Sequence, residues 1–205
     1  MKKLIIATRN EKKLRELKRY LKSIKFKIVS LNEIGPAPGI REDKHTFKGN
    51  AVKKALTISR FTGGLVLADD SGLEIKALGN LPGVKSARFA GPGKKDHDNT
   101  VKVLKLLEGK PDKERFARFV CAIAIADKGK IIKVVEEYCS GRIARSIRGR
   151  HGFGYDPVFL IPKYNRTFGE LGLKTKDRMS HRSKALKKAR EFLRKYLTGS
   201  AILGA

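Results

Sequence analysis

The chain has 205 residues, 40% of them hydrophobic, which suits one domain with a buried core and excludes a disordered or collagen-like chain. Lys plus Arg number 47 against 20 for Asp plus Glu, and the net charge of +27 favours anionic partners such as nucleotides, nucleic acid or acidic membrane surfaces. No apolar run is long enough to span a membrane and no signal peptide precedes the first strand at Lys3, so a cytoplasmic protein is expected; Cys121 and Cys139 fit no zinc or C-x-x-C spacing.

In chain order, "KKLIIAT" predicts a short strand ending at Thr8-Arg9-Asn10. Leu14, Leu17, Leu21 and Ile24 then recur at helical spacing. "FKIVSL" predicts a second strand, and "NEIGPAPGIREDKH" a loop. "TFKGNAVKKALTISRFT" predicts a helix that Gly63-Gly64 ends. Residues 65–69 predict a strand, with a turn at Ser71 and Gly72. "DHDNTVKVLKLLEG" predicts a helix with a polar start. "RFARFVCAIAIAD" and "KIIKVVEEYCSGRIA" predict a long hairpin that turns at Asp127–Gly129. A glycine-rich loop, "RGRHGFGYDP", runs into another apolar strand, and "SHRSKALKKAREFLRKYL" predicts a closing amphipathic helix. Strand–helix units beside a hairpin indicate an α/β fold with a mixed sheet. The tail, 198–205, is expected to fray.

Four stretches carry candidate chemistry. "ATRNEKK" places a polar turn before a helix, which reads as a phosphate site at the helix N-terminus or as an ordinary cap by Thr8 or Asn10. "LADDSG" pairs Asp69 with Asp70; neighbours on a strand face opposite ways, so at most one serves a given site. That carboxylate reads as a Mg²⁺ ligand that prepares a water, or the pair as turn chemistry. "HGFGYDPVF" offers glycine bends, the flat faces of Phe153 and Tyr155, and an acceptor at Asp156: a base-stacking loop or a buried turn. "SHRSKAL" offers Ser180 as a cap and puts His181 and Arg182 in the first turn of a helix, where positive charge is costly unless an anion compensates. Lys176 precedes it on the connecting loop.

Together, "T-x-N-x-x-K", "ADDSGL", "LPGVKSARFAG", "GFGYDPVF" and "SHRSKAL" resemble the inosine/xanthosine triphosphate pyrophosphatase family, over Lys3 to about Leu197. The resemblance implies an elongated mixed β-sheet flanked by helices, with two lobes around a central cleft in a single domain over 1–197, and a homodimer. It implies Mg²⁺-dependent hydrolysis of ITP, dITP or XTP to the monophosphate and pyrophosphate. Residue by residue, it implies that Thr8, Asn10 and Lys13 bind the triphosphate, and that Asp70 is the catalytic carboxylate and a metal ligand. Ser71 is implied as a substrate contact, Glu42 as a second metal ligand and Lys54 as a basic catalytic group near the phosphates. Phe153, Gly154, Tyr155 and Asp156 are implied as the base-binding loop, and Lys176, His181 and Arg182 as further nucleobase contacts. Gly49 departs from the glutamate common in the family's pattern, and Arg9 from the small residue usual in the first loop. A nucleic-acid-binding protein is the competing reading; the dispersed lysines argue against sequence-specific binding, while non-specific binding at low salt fits the charge.

Overall fold

A computed structural model describes residues 2–93 and 95–199. The expectation for the tail falls, from Ser200 onward, outside the described residues; Thr198 is tied back, its hydroxyl donating to the Lys195 carbonyl at 3.0 Å.

Seven strands form one sheet in the order β2-β1-β3-β4-β5-β6-β7: β1 Lys3–Ile6, β2 Lys27–Ser30, β3 Val66–Ile75, β4 Phe116–Asp127, β5 Lys130–Ile143, β6 Phe159–Ile161 and β7 Arg166–Thr167. β1 pairs in parallel with β2 and β3, while β6 pairs antiparallel with β5 and β7, so the sheet is mixed as expected. The helices are α1 Glu11–Leu21, α2 Phe47–Thr62, α3 Asp96–Leu106, α4 Leu173–Met179 and α5 His181–Leu197. Among the described residues no helix is long and apolar enough to cross a membrane. The chain divides into two compact units, one built from residues up to 70, 121–137 and from 182 onward, the other from 71–120 and 138–181.

In the first unit, α1 and α5 pack on one side of the strands. Leu14, Leu17 and Leu21 of α1 share a core with Ala185, Leu186, Ala189 and Leu193 of α5, with Leu4 and Ile6 of β1, and with Leu65 and Leu67. Leu65 and Leu67 therefore set the parity within the first unit: odd positions over 65–69 face α1 and α5, and the even ones face the other way. α2 ends as the glycines predict, with Gly63 in the left-handed conformation at φ 64°.

The second unit has its own core, in which Leu73 and Ile75 of β3 meet Phe119, Tyr155, Phe159 and Phe168. Two expectations are corrected. β3 does not stop at Asp69 and turn at Ser71-Gly72; it continues to Ile75. Gly72 is required for close approach rather than for a turn, because a Cβ there would lie 2.3 Å from Ser86 Oγ and 2.8 Å from the Gly83 carbonyl. Ser86 Oγ accepts from the Leu73 amide at 2.9 Å and donates to Gly83 O at 2.6 Å, which fastens the 83–88 segment to the strand. Lys176 lies not on a loop but in α4. A helix of one to two turns has too little periodicity to be visible in sequence.

Candidate active site

The candidate residues fall into two groups, one in each unit. In the first, β1 ends at Ile6 and the chain turns through Thr8 and Asn10 into α1. The Asn10 amide donates to Thr8 Oγ1 at 3.2 Å. Asn10 Oδ1 accepts from the Lys12 and Lys13 amides at 3.0 and 3.1 Å. Asn10 therefore caps α1, taking up two of its first amides. Arg9, the bulky departure, reaches out to the Ala37 carbonyl at 3.2 Å.

β3 delivers the two aspartates to opposite faces, as alternation requires. Asp69, odd like Leu67, faces α1 and α5. Its Oδ2 lies 3.0 Å from Lys13 Nζ and 3.8 Å from Arg182 Nε. Burial alone would raise the Asp69 carboxyl; Lys13, Arg182 and Lys54 outweigh it and hold the group at about 2. Arg182 also donates from Nη1 to Glu16 Oε2 at 2.6 Å. The anions that offset a cation in the first turn of α5 are therefore the protein's own.

Asp70 faces α2. Asn50 Nδ2 donates to its Oδ2 at 3.2 Å and Lys54 Nζ to its Oδ1 at 3.1 Å. The same ammonium donates to Glu42 Oε1 at 2.9 Å. Asn50 and Lys54 are one helical turn apart, which aligns both on one carboxylate. Asn50 Oδ1 also accepts from the Lys44 amide at 3.0 Å, anchoring the loop that carries Glu42. Burial raises the Asp70 carboxyl above its ordinary value; Lys54 and Lys13 oppose this without cancelling it, and Glu42 adds to it. Burial would also strip Lys54 of its proton, but Asp70, Asp69 and Glu42 together raise it, so it stays a cation. Two adjacent acids in one strand are thereby set to opposite proton affinities. Gly49 sits one residue before Asn50, its amide donating to the Thr46 hydroxyl at 3.0 Å; a Cβ at 49 would lie 2.9 Å from Lys44 Cβ.

In the second unit, Ser71 follows on β3 and is half-buried. The 153–156 loop is held from several sides. Lys176 Nζ donates to Asp156 Oδ2 at 2.6 Å and the Phe153 amide to the same oxygen at 2.7 Å. Gly152, at φ 80°, is the position where a Cβ would collide with Asp156 Oδ2, at 2.0 Å. The Gly154 amide donates to Asp96 Oδ2 at 3.0 Å, and Thr100 Oγ1 to the Gly154 carbonyl at 3.3 Å. Lys176 Nζ lies 5.0 Å from the centre of the Phe153 ring. Phe153 is half-buried, whereas Tyr155 is a core residue, 4% exposed, whose hydroxyl donates to the Ser86 carbonyl at 2.8 Å. Tyr155 thus presents no open face; the loop's ring at partial exposure is Phe153. His181 is buried and stacks on Phe119, with ring centres 4.7 Å apart and planes 14° apart.

The sequence motifs assign no role to Asn50, Asp96, Thr100, Phe119 or Glu16. Asn50 carried a usable signal, its i,i+4 relation to Lys54. Asp96, Thr100 and Phe119 act across 50 or more residues of chain, which no local pattern records.

Residues 4–192 match the model of the Ham1 family. A dITP/XTP pyrophosphatase of Desulforamulus reducens is 51% identical over 191 residues, 93% of this chain and 95% of that protein. The dITP/XTP pyrophosphatase of Bacillus subtilis is 45% identical over 193 residues, 94% of this chain and 98% of that protein. A HAM1 protein from Coxiella burnetii has the same fold, with a TM-score of 0.86 at 38% identity, over 94% of this chain and 98% of that one. The resemblance carried by five short motifs therefore extends to the sequence as a whole and to the fold, and the chain belongs to the Ham1 family.

Proposed function

We propose that this chain is a pyrophosphatase of deaminated purine nucleoside triphosphates, converting ITP, dITP or XTP and water to the monophosphate and pyrophosphate. The relatives' activity suggests the reaction, and the observation that carries it to these residues is the Asp70–Lys54–Glu42 cluster, in which Asp70 and Lys54 are buried and Glu42 is partly exposed. Hydrolysis of a phosphoanhydride needs charge neutralisation and an aligned water more than covalent chemistry. Lys13 and Lys54 supply fixed positive charge for the triphosphate, and Thr8 and Asn10 shape the turn beside it. Asp70, its carboxyl raised by burial, accepts a hydrogen bond and then a proton from the attacking water. Lys54 keeps Asp70 in place without taking that role from it.

The residues suit magnesium. Mg²⁺ commonly binds through one or two protein carboxylates plus substrate phosphates, and Asp70 and Glu42 offer two carboxylates that already converge on one cation. When bound, magnesium supplies charge neutralisation at the phosphate oxygens.

Specificity rests on donors. Hypoxanthine and xanthine present a 6-oxo acceptor where adenine has an amino donor. Lys176, His181 and Arg182 are donors, and a donor left facing an amino group costs discrimination energy. Lys176 is fixed by Asp156, and Phe153 lies beside it to stack on the base. The family resemblance also brings a homodimer, which sedimentation would test.

The deciding assay incubates the protein with Mg²⁺ and, separately, ITP, dITP, XTP, dTTP, ATP and GTP, and measures pyrophosphate. Turnover of the deaminated purines should exceed that of ATP by roughly 100-fold or more. Equal rates for ITP, XTP and ATP would defeat the reading.

A further inference from the structure

The proposed chemistry leaves most of the charge unexplained. Within the first unit, much of it lies on two neighbouring helices. α1 and α5 bury their apolar faces in the same core and touch each other directly: Arg182 of α5 reaches Glu16 of α1 at 2.6 Å, and Arg194 Nη2 reaches Ser23 Oγ at 3.2 Å. Their outer faces therefore lie side by side. On α1 and its end, Lys12, Arg15, the adjacent Lys18 and Arg19, and Lys22 are exposed at helical spacing, opposite Leu14, Leu17 and Leu21. On α5, Lys184, Lys187, Lys188, Arg194 and Lys195 are exposed in the same rhythm. The exposed acids on the two helices are Glu11 and Glu191, since Glu16 is turned toward Arg182; from neighbouring elements Glu33 pairs with Lys18 and Glu137 with Lys188, and the remaining cations of the row are exposed to solvent. Cations at this spacing stand about 5–6 Å apart, and α5 alone runs about 25 Å.

From this we infer that the paired outer face of α1 and α5 binds the phosphate backbone of double-stranded nucleic acid without reading its sequence. Charge complementarity selects a polyanion. A duplex carries about one charge per 1.7 Å of axis, so it meets a row of this length with many phosphates at once. The apolar map decides among polyanions. The large exposed hydrophobic residues include Phe61, Phe116, Tyr138 and Tyr164, but none on α1 or α5. Single-strand binders need aromatic platforms for the bases, and a membrane-surface helix needs an apolar face to insert. The apolar faces of α1 and α5 are spent on the core. A duplex backbone requires neither feature. The face contains none of the residues assigned to catalysis or substrate binding, so the inference stands apart from the proposed reaction.

The test is fluorescence anisotropy with a labelled duplex of about 20 base pairs, titrated with the full chain at several NaCl concentrations. Binding should be micromolar at about 50 mM salt and equal for unrelated sequences. Log affinity should fall against log salt with a slope of about −4 to −5, as four to six phosphate contacts give. The variant Arg15→Gln/Lys22→Gln/Lys187→Gln/Lys195→Gln should bind at least about 10-fold more weakly with a shallower slope. A control with the same loss of charge in the second unit, Lys76→Gln/Lys85→Gln/Lys105→Gln/Lys113→Gln, should bind like the parent. Thermal melts of both variants confirm that they are folded, and a folded single-residue series on the same face replaces any that is not. Three results overturn the inference: no duplex binding at about 50 mM salt, equal losses in the two variants, or tighter binding to a single strand or to phosphatidylserine vesicles than to the duplex.

Discussion

Asp69 and Asp70 are adjacent in sequence and both buried, yet they face different partners and their carboxyls are shifted in opposite directions. Asp70 should be indispensable: Asp70→Asn keeps the Asn50 contact, removes the base, and should lower turnover by roughly 10³-fold or more while circular dichroism melts stay close to the parent. Asp69 is a matter of stability. Its carboxyl is held at about 2, below its ordinary 3.8, so the folded state favours the ionised form. The resulting stabilisation is fully present above about pH 4 and is lost as pH falls through about 2, on the order of 2 kcal/mol. Asp69→Asn also leaves Lys13 and Arg182 without this carboxylate, so at pH 7 it should cost about 3 kcal/mol or more. Urea unfolding across pH 2 to 7 should show the gap between parent and variant closing toward the acid end. A gap independent of pH would mean that Asp69 does not stabilise through its charge.

At the scale of elements, the positioning devices are small and testable. Asn10→Ala removes the acceptor for two α1 amides and should cost about 1 kcal/mol of stability, read from a denaturant midpoint. Gly72→Ala puts a methyl group 2.3 Å from Ser86 Oγ and should destabilise by about 1–3 kcal/mol, loosening the 83–88 segment in hydrogen exchange. The two cases also mark what the sequence could and could not tell. Asn10 before a leucine stripe is a local signal, and α1, α2 with its Gly63 stop, and the long β4–β5 strands around Asp127–Gly129 are all of that kind. Gly72 looked like a turn because glycine beside serine is common in turns; its real constraint is Ser86, fourteen positions on. Tyr155 looked like a stacking face because nothing local records that its hydroxyl meets Ser86. The identities of Asp70, Lys54 and Lys13 came from motif order, while the separate partners of the two aspartates needed the packing of α1, α2 and α5.

At the scale of the whole molecule, +27 is a standing load. Repulsion among so many like charges opposes the compact state, and salt screens it over about 10 Å at 0.1 M. The melting temperature should therefore rise by a few degrees between about 20 mM and about 300 mM NaCl, the reverse of a protein held mainly by surface ion pairs. A flat or falling trend would mean that the cations are locally compensated. Against that load, the alternation of β3 has a consequence for descent. A surface loop that carries no site residue can gain or lose a residue and still return the chain to the same place. One codon inserted or deleted within Leu65–Asp69 exchanges the audiences of the two acids: Asp70 would look toward Lys13 and Arg182, and Asp69 toward Asn50 and Lys54 or past them. This stretch of gene can therefore drift by substitution but not by length, and its spacing to the residues before it should be the least negotiable feature of any working descendant.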